Sequence, residues 1–131
     1  GRSKLTRYNR KGPPMAYVET YIMPVPKTQL DAYFDLVRQM APLWKEFGVL
    51  AMTEYRPQEV PVGKLTSFPR AVMATEDETV VMGSMTFRDK AHRDVVMEGA
   101  MADEQMGALF QKMPVDGKRM IWGSFTTELE F

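Results

Sequence analysis

The stretch Thr79-Val80-Val81-Met82-Gly83-Ser84-Met85-Thr86-Phe87 decides the fold, because it is strongly apolar and predicts a buried β-strand. Successive side chains of a strand point to opposite faces, so Val80 and Met82 face one way and Val81 and Met85 the other. A sheet that is apolar on both faces needs a cover on each side. We therefore expect helices on one face and a second layer on the other.

The segments around this strand predict the order strand, helix, strand, strand, helix, strand. Pro24-Val25-Pro26 is expected to end the first strand, Thr28 to cap the first helix and Pro42 to kink it. Asp89 is expected to cap the second helix. The predicted strands are 17–23, 49–55, 79–87 and 120–127, with a further short strand possible at 71–74; the predicted helices are 28–47, 90–101 and 103–112.

This order is typical of an α+β ferredoxin-like fold, a βαββαβ arrangement with an antiparallel sheet and helices on one face. The simplest cover for the remaining face is the same face of a second copy, in a two-fold dimer. The sequence therefore predicts a homodimer that pairs through its sheets.

Composition excludes several classes of function. The 131 residues contain no Cys and one His, so disulfides, thiolate catalysis and Cys-ligated metal sites are excluded. The 17 basic and 17 acidic residues balance, whereas a nucleic-acid-binding protein normally carries a basic excess. No apolar run approaches the roughly 20 residues that span a bilayer. We expect a cytoplasmic protein with no metal, no cofactor, no nucleic-acid partner and no membrane association.

The basic side chains are unevenly distributed. Residues 1–14 hold five of them and no acid, and lack apolar periodicity: Arg2, Lys4, Arg7, Arg10 and Lys11. We expect an upstream or expression-derived extension before a natural start at Met15, followed by a single domain over residues 15–131. The alternative is a basic arm for nucleic acid or membrane.

Several sequence blocks resemble the YbaA-like bacterial family, a domain family of unknown function, and together they cover essentially all of residues 15–131. The resemblance implies a ferredoxin-like dimeric α/β barrel and no assigned activity. The wider superfamily is similar to cofactor-free monooxygenases, muconolactone-isomerase-like enzymes, haem-binding degraders and stress-associated barrels, but that similarity transfers no reaction. The blocks are Met15-Ala16-Tyr17-Val18, Pro24-Val25-Pro26-Lys27, Thr66-Ser67-Phe68-Pro69-Arg70-Ala71, Glu76-Asp77-Glu78-Thr79-Val80-Val81, Ala91-His92-Arg93-Asp94 and Met113-Pro114-Val115-Asp116-Gly117-Lys118-Arg119-Met120.

Four side chains are candidate catalytic residues. His92 ordinarily titrates near neutrality, so it is a candidate proton carrier or haem ligand; the simpler interpretation is a first-turn histidine bonded to a neighbouring loop. Arg70 could bind a ligand carboxylate, or pair with Asp116 or the acidic turn at 76–78. Asp116 could orient His92, and Lys118 or Arg119 could stabilise an oxyanion, or these residues could belong to a solvated turn.

Five aromatic side chains from different elements are candidate ligand-binding residues, because they could converge near the helix–sheet seam: Tyr21, Trp44, Tyr55, Phe68 and Trp122. The alternative is that they are ordinary core. The sequence thus predicts a barrel that binds a small apolar or aromatic molecule, with a cofactor-independent monooxygenase or isomerase as its enzymatic form. The alternative is a non-catalytic dimeric stress-associated or interaction protein with a filled interior.

Overall fold

The strand predicted at 79–87 lies at the centre of the sheet, as the computed structural model of residues 16–131 shows. This strand, β3, runs from Glu78 to Phe87 and pairs antiparallel with two neighbours. The sheet order is β2-β3-β1-β4, and every pairing is antiparallel. The other strands are β1 (Tyr17–Pro26), β2 (Ala51–Tyr55) and β4 (Ile121–Thr126).

The helices lie between the strands in the predicted order. Apart from the short second helix, the chain follows the βαββαβ order with the sheet order of a ferredoxin-like fold. The predicted fold class is therefore confirmed. The helices are α1 (Leu30–Phe47), α2 (Phe68–Ala71), α3 (Lys90–Ala102) and α4 (Glu104–Lys112), with 3₁₀ turns at Lys27–Gln29 and Gly117–Arg119.

The first strand is longer than the sequence predicts. Pro24-Val25-Pro26 does not end it, because β1 continues to Pro26, which pairs with Glu78 of β3. On the other side β4 pairs with β1 only from Tyr17 to Ile22, so the proline segment borders a free edge. Proline is tolerated there because it has no N–H to leave unpaired.

Local capping explains two further element boundaries, and a third predicted cap is wrong. Asp89 accepts a hydrogen bond from the His92 amide at 2.8 Å, which confirms the predicted cap of α3. The short strand considered at 71–74 does not form. Residues 68–71 form a helical turn instead, because Ser67 Oγ accepts a hydrogen bond from the Arg70 amide at 3.1 Å. Thr28 does not cap α1; it lies in the preceding 3₁₀ turn. The helix then runs without interruption through Pro42.

The core fills the space between α1, α3, α4 and one face of the sheet. Val81 and Phe87 are fully buried on this face. The opposite face is open in the single chain, since Met82, Ile121 and Phe125 are 41%, 44% and 61% exposed. Among residues 16–131, none of the helices has both the length and the apolar character to cross a membrane. The expectations for residues 1–14 lie outside the described residues.

Candidate functional site

A cavity of about 310 Å³ lies between the sheet and the helices that cover it. Its walls come from all four strands and three helices, and contain eight methionines, five aromatic side chains and three charged side chains. The predominance of sulfur and aromatic surface makes it an adaptable, largely apolar space. Its lining residues are Glu19, Tyr21, Met23, Tyr33, Val37, Met40, Trp44, Met52, Glu54, Met85, Arg93, Met97, Met101, Phe110, Met113, Met120 and Trp122.

One wall of the cavity carries a carboxyl group held by two phenols. Glu54 of β2 accepts a hydrogen bond from the Tyr21 hydroxyl on one oxygen and from the Tyr33 hydroxyl, at 2.9 Å, on the other. Tyr21 comes from β1, and Tyr33, which is 1% exposed, comes from α1. The cluster therefore links two strands to the first helix at the cavity wall.

Burial controls the protonation of this cluster. It raises the pKa of Glu54 above its ordinary value of 4.5, although the hydrogen bonds from Tyr21 and Tyr33 oppose that change by stabilising the carboxylate. Burial, reinforced by the nearby Glu54 carboxylate, also raises the pKa of both tyrosines well above 10. Glu54 is consequently the member of the cluster that gains and loses a proton most readily.

A second polar group lies on the same wall, nearer β4. Arg93 of α3 donates a hydrogen bond from Nε to Glu19 Oε1 at 2.7 Å, and its guanidinium carbon is 5.3 Å from the ring centre of Trp122. Glu19 is only 8% exposed. Burial by itself would lower the pKa of Arg93, but the hydrogen bond to Glu19 raises it overall. The arginine therefore keeps its positive charge at the cavity wall.

The structure divides the five predicted ligand-binding aromatics between two places. Tyr21, Trp44 and Trp122 line the cavity. Tyr55 and Phe68 lie instead beside a shallow groove on the open side of the sheet. Both are about half exposed, so they contribute surface to the uncovered side rather than to the interior.

His92 lies outside the cavity, in the first turn of α3. Its Nδ1 accepts a hydrogen bond from the Arg88 amide at 3.0 Å, and its ring packs edge-on against Phe87 with 5.8 Å between ring centres. These are the contacts of the simpler interpretation, a histidine bonded to its neighbouring loop. A catalytic or haem-binding role for His92 stays a prediction.

The other three candidate catalytic residues lie in two separate surface regions. Arg70 donates hydrogen bonds to the carbonyls of Val62 at 2.9 Å and Gly63 at 3.0 Å, and so ties its own loop together. Asp116 accepts a hydrogen bond from the Lys118 amide at 3.0 Å and closes the turn before β4. The structure does not bring these side chains to the cavity or to His92, and their chemical roles stay predictions.

The ion pair considered for Arg70 is made by another arginine. Arg119 binds both oxygens of Glu78, at 2.7 and 2.8 Å, and also Asp116 Oδ2 at 3.0 Å. The hydrogen bond from Arg119 lowers the pKa of Glu78 to about 2 and also lowers that of Asp116. The same guanidinium donates to the Met73 carbonyl at 3.0 Å, so it joins the loop after α2 to the turn before β4.

Sequence reasoning missed the polar residues of the cavity. Glu54 and Met52 alternate on one face of β2, and Glu19 lies on the same face of β1 as Tyr21, so strand parity already places both acids inside. The sequence signal that could have identified them is an acidic residue at a strand position whose side chain faces the core. Within residues 16–131, no three His, Asp or Glu side chains group closely enough to hold a metal ion.

The structure is that of a ferredoxin-like α+β protein with a cavity between its sheet and its helices. The family model described as "Protein of unknown function (DUF1428)" matches residues 16–117, and the chain belongs to this family. It is 40% identical over 116 residues to the "Uncharacterized protein YbaA" of Escherichia coli K12, covering 88% of this chain and 99% of that one. The Shigella flexneri protein of the same description matches to the same extent. The resemblance read from the sequence blocks is confirmed.

Solved structures with low sequence identity share the fold. A dimeric ferredoxin-like protein from an uncultured marine organism has a TM-score of 0.60 at 10% identity, covering 89% of this chain and 99% of that chain. A NIPSNAP family protein from Agrobacterium tumefaciens also has a TM-score of 0.60, at 13% identity, covering 87% of each chain. An ethyl tert-butyl ether D family protein from Bacillus halodurans has a TM-score of 0.51 at 16% identity, covering 87% of this chain and 100% of that one.

Proposed function

We propose that this protein binds a small, largely apolar molecule in the cavity between its sheet and its helices. The observation that carries the proposal is the cavity itself, about 310 Å³ in volume and walled by eight methionines and five aromatic side chains. Ligand sites for small molecules have volumes of this order, with mainly apolar walls and a few convergent polar groups. Here Glu54 and Arg93 are those polar groups.

The walls also favour a particular kind of ligand. Tyr21, Trp44 and Trp122 offer flat aromatic surface, which suits a planar or aromatic molecule. Methionine side chains adapt to ligands of different outline. A carboxyl group and a guanidinium on one wall suit a ligand that has one polar edge.

A cofactor-independent isomerase or monooxygenase is the enzymatic form of this proposal. The alternative, a non-catalytic stress-associated or interaction protein, was expected to have a filled interior. The cavity favours the ligand-binding form, whereas the roles of His92, Arg70, Asp116 and Lys118 are left as predictions.

Two copies pair through the open face of the sheet in this proposal. Ile121, Phe125 and Met82 line a groove on that face together with Phe68, and all four are more than two-fifths exposed in the single chain. Exposed contiguous apolar surface marks interaction sites. The marine protein of the same fold is described as dimeric, which supports the same assembly here.

Ligand binding is tested by thermal shift with indole, acetophenone and β-naphthol as probes. A probe that binds the folded state raises Tm by mass action. Met97→Trp, on the cavity side of α3, should fill the space and abolish the shift. Val95→Trp, at a 68% exposed position of the same helix, should leave it intact. The proposal fails if no probe raises the Tm of the natural sequence, or if both variants respond alike.

Pairing is tested by sedimentation equilibrium at micromolar concentration. Phe125→Asp places a charge on the open face and should shift the mass toward a single chain. Val95→Asp, on helix α3 beyond the other face, should leave it unchanged. A natural sequence that sediments as a folded monomer overturns the pairing.

A further inference from the structure

We infer that Glu54 transfers protons to and from a bound substrate, and that the substrate class is an apolar ketone with a C–H bond next to its carbonyl. This inference rests on the proposed ligand site and adds the chemistry performed there. Tyr21 and Tyr33 are positioning residues in it, and Arg93 is the cation that faces the substrate oxygen.

The geometry leaves Glu54 free to act. Each of its oxygens accepts one phenolic hydrogen bond, whereas a carboxylate has about four acceptor positions. The group also lines the cavity, so acceptor capacity remains for a ligand. Because the phenols come from two different elements, β1 and α1, they fix the carboxyl group in one orientation.

The surroundings of Glu54 make its carboxylate a stronger base than an exposed one. Burial among apolar side chains raises its pKa, and catalytic carboxyl groups gain basicity in this way. The titratable groups that contact it are Tyr21 on β1 and Tyr33 on α1, and Glu19 on β1 acts on Tyr21. Both phenols have raised pKa values and stay protonated, so they donate to Glu54 in either of its states.

Arg93 supplies the complementary charge on the same wall. It binds Glu19 from Nε and Asp94 from Nη1, and Glu54 is bound by Tyr21, two residues beyond Glu19 on the same face of β1. Glu54 and Arg93 both line the cavity, so a ketone bound there can contact both side chains. A proton removed at Glu54 thus leaves negative charge on an oxygen that a fixed cation can stabilise.

Proton transfer to and from the ketone needs no oxidant or reductant. The Glu54 carboxylate takes a proton from the carbon beside the carbonyl, the C–H electron pair forms a C=C bond, and the carbonyl electron pair moves onto oxygen. The electron pair on oxygen then re-forms the carbonyl as the Glu54 carboxylic acid returns the proton to the same carbon or, where the ketone is β,γ-unsaturated, to its γ-carbon. Return to the same carbon exchanges hydrogen, and return to the γ-carbon isomerises the substrate.

The test is hydrogen–deuterium exchange at the α-carbon of acetophenone and β-tetralone in D₂O, followed by NMR, with binding measured in parallel by thermal shift. The natural sequence should accelerate exchange over buffer at least tenfold. Glu54→Gln should reduce it to the buffer rate while the thermal shift persists. Glu46→Gln, an exposed acid on α1, is the matched control and should exchange at the natural rate.

Two outcomes separate this inference from the proposed function. If the ketones bind and exchange stays at the buffer rate, or is unchanged in Glu54→Gln, the proton-transfer role is overturned and the binding site stands. If neither ketone binds while indole does, the substrate class is overturned. Tyr21→Phe provides a second variant: it should shift the pH midpoint of exchange, whereas a purely structural tyrosine would leave that midpoint in place.

Discussion

Gly83 lies directly opposite Tyr21 across the β1–β3 pairing, and a Cβ at this glycine would lie 2.6 Å from the Tyr21 hydroxyl oxygen. The same glycine is paired with Glu54 on its other side. The absence of a side chain in the central strand is therefore what lets the phenol reach the carboxyl group above the sheet.

The first prediction concerns this glycine. Gly83→Ala should displace Tyr21 or Glu54 and lower the free energy of unfolding by about 2 kcal/mol, as overpacking does in tight sites. Urea denaturation measures the change. Gly107→Ala is the control: it lies in α4 with nothing within 4 Å of its Cβ, and should stabilise by about 1 kcal/mol. Equal effects of the two substitutions would contradict the role of Gly83.

The second prediction concerns the pH dependence of stability at Glu54. Its pKa is raised in the folded protein, so the folded state binds the proton more tightly than the unfolded state. This group therefore favours folding at low pH, and its contribution is lost as pH rises from 4.5 through its folded pKa. Relative to Glu54→Gln, the natural sequence should lose stability over that range. If the difference in Tm between the natural sequence and Glu54→Gln stays constant with pH, the pKa of Glu54 is not raised by folding.

The third prediction has the opposite sign. The hydrogen bonds from Arg119 lower the pKa of Glu78 to about 2, so the pair stabilises the fold above 4.5 and loses its effect as pH falls toward 2. Arg119→Lys keeps the charge but loses the bidentate hydrogen bonds to Glu78, and should lower Tm at neutral pH. The difference from the natural sequence should shrink on acidification. Thermal melts across that range measure it, and a difference that grows in acid would refute the assignment.

The fold was predictable because its signals are local. The alternation around β3, the cap at Asp89 and the wide apolar stripe of α1 each specify an element from neighbouring residues. One exception is β1, which continues past Pro24 because the strand edge there is free, and pairing between distant segments decides that.

The site was only partly predictable because its chemistry comes from distant contacts. Tyr21 and Trp44 were expected near the helix–sheet seam and do line the cavity. Glu54 accepts a hydrogen bond from Tyr33, 21 residues away, and burial raises the pKa of its carboxyl group; neither follows from residue type alone. Residue type alone made His92 a candidate, whereas its position against Arg88 and Phe87 follows from the first turn of α3.

The last prediction concerns the buried pair at the other end of the cavity wall. Arg93→Ala leaves the Glu19 carboxylate, which is 8% exposed, without its partner, and should lower the free energy of unfolding by about 2 kcal/mol. The loss is smaller than for a fully buried pair because the guanidinium is partly exposed. Adding Glu19→Gln removes the unpaired charge and should recover part of that loss. Urea denaturation of the natural sequence, the two single variants and the double variant should give a coupling free energy of about 1 kcal/mol or more. The exposed pair Arg38–Asp35 on α1 is the matched comparison, with an expected coupling of about 0.3 kcal/mol. If the two cycles give the same coupling, Arg93 is not anchored by Glu19, and the fixed cation that the proton-transfer inference requires is lost with it.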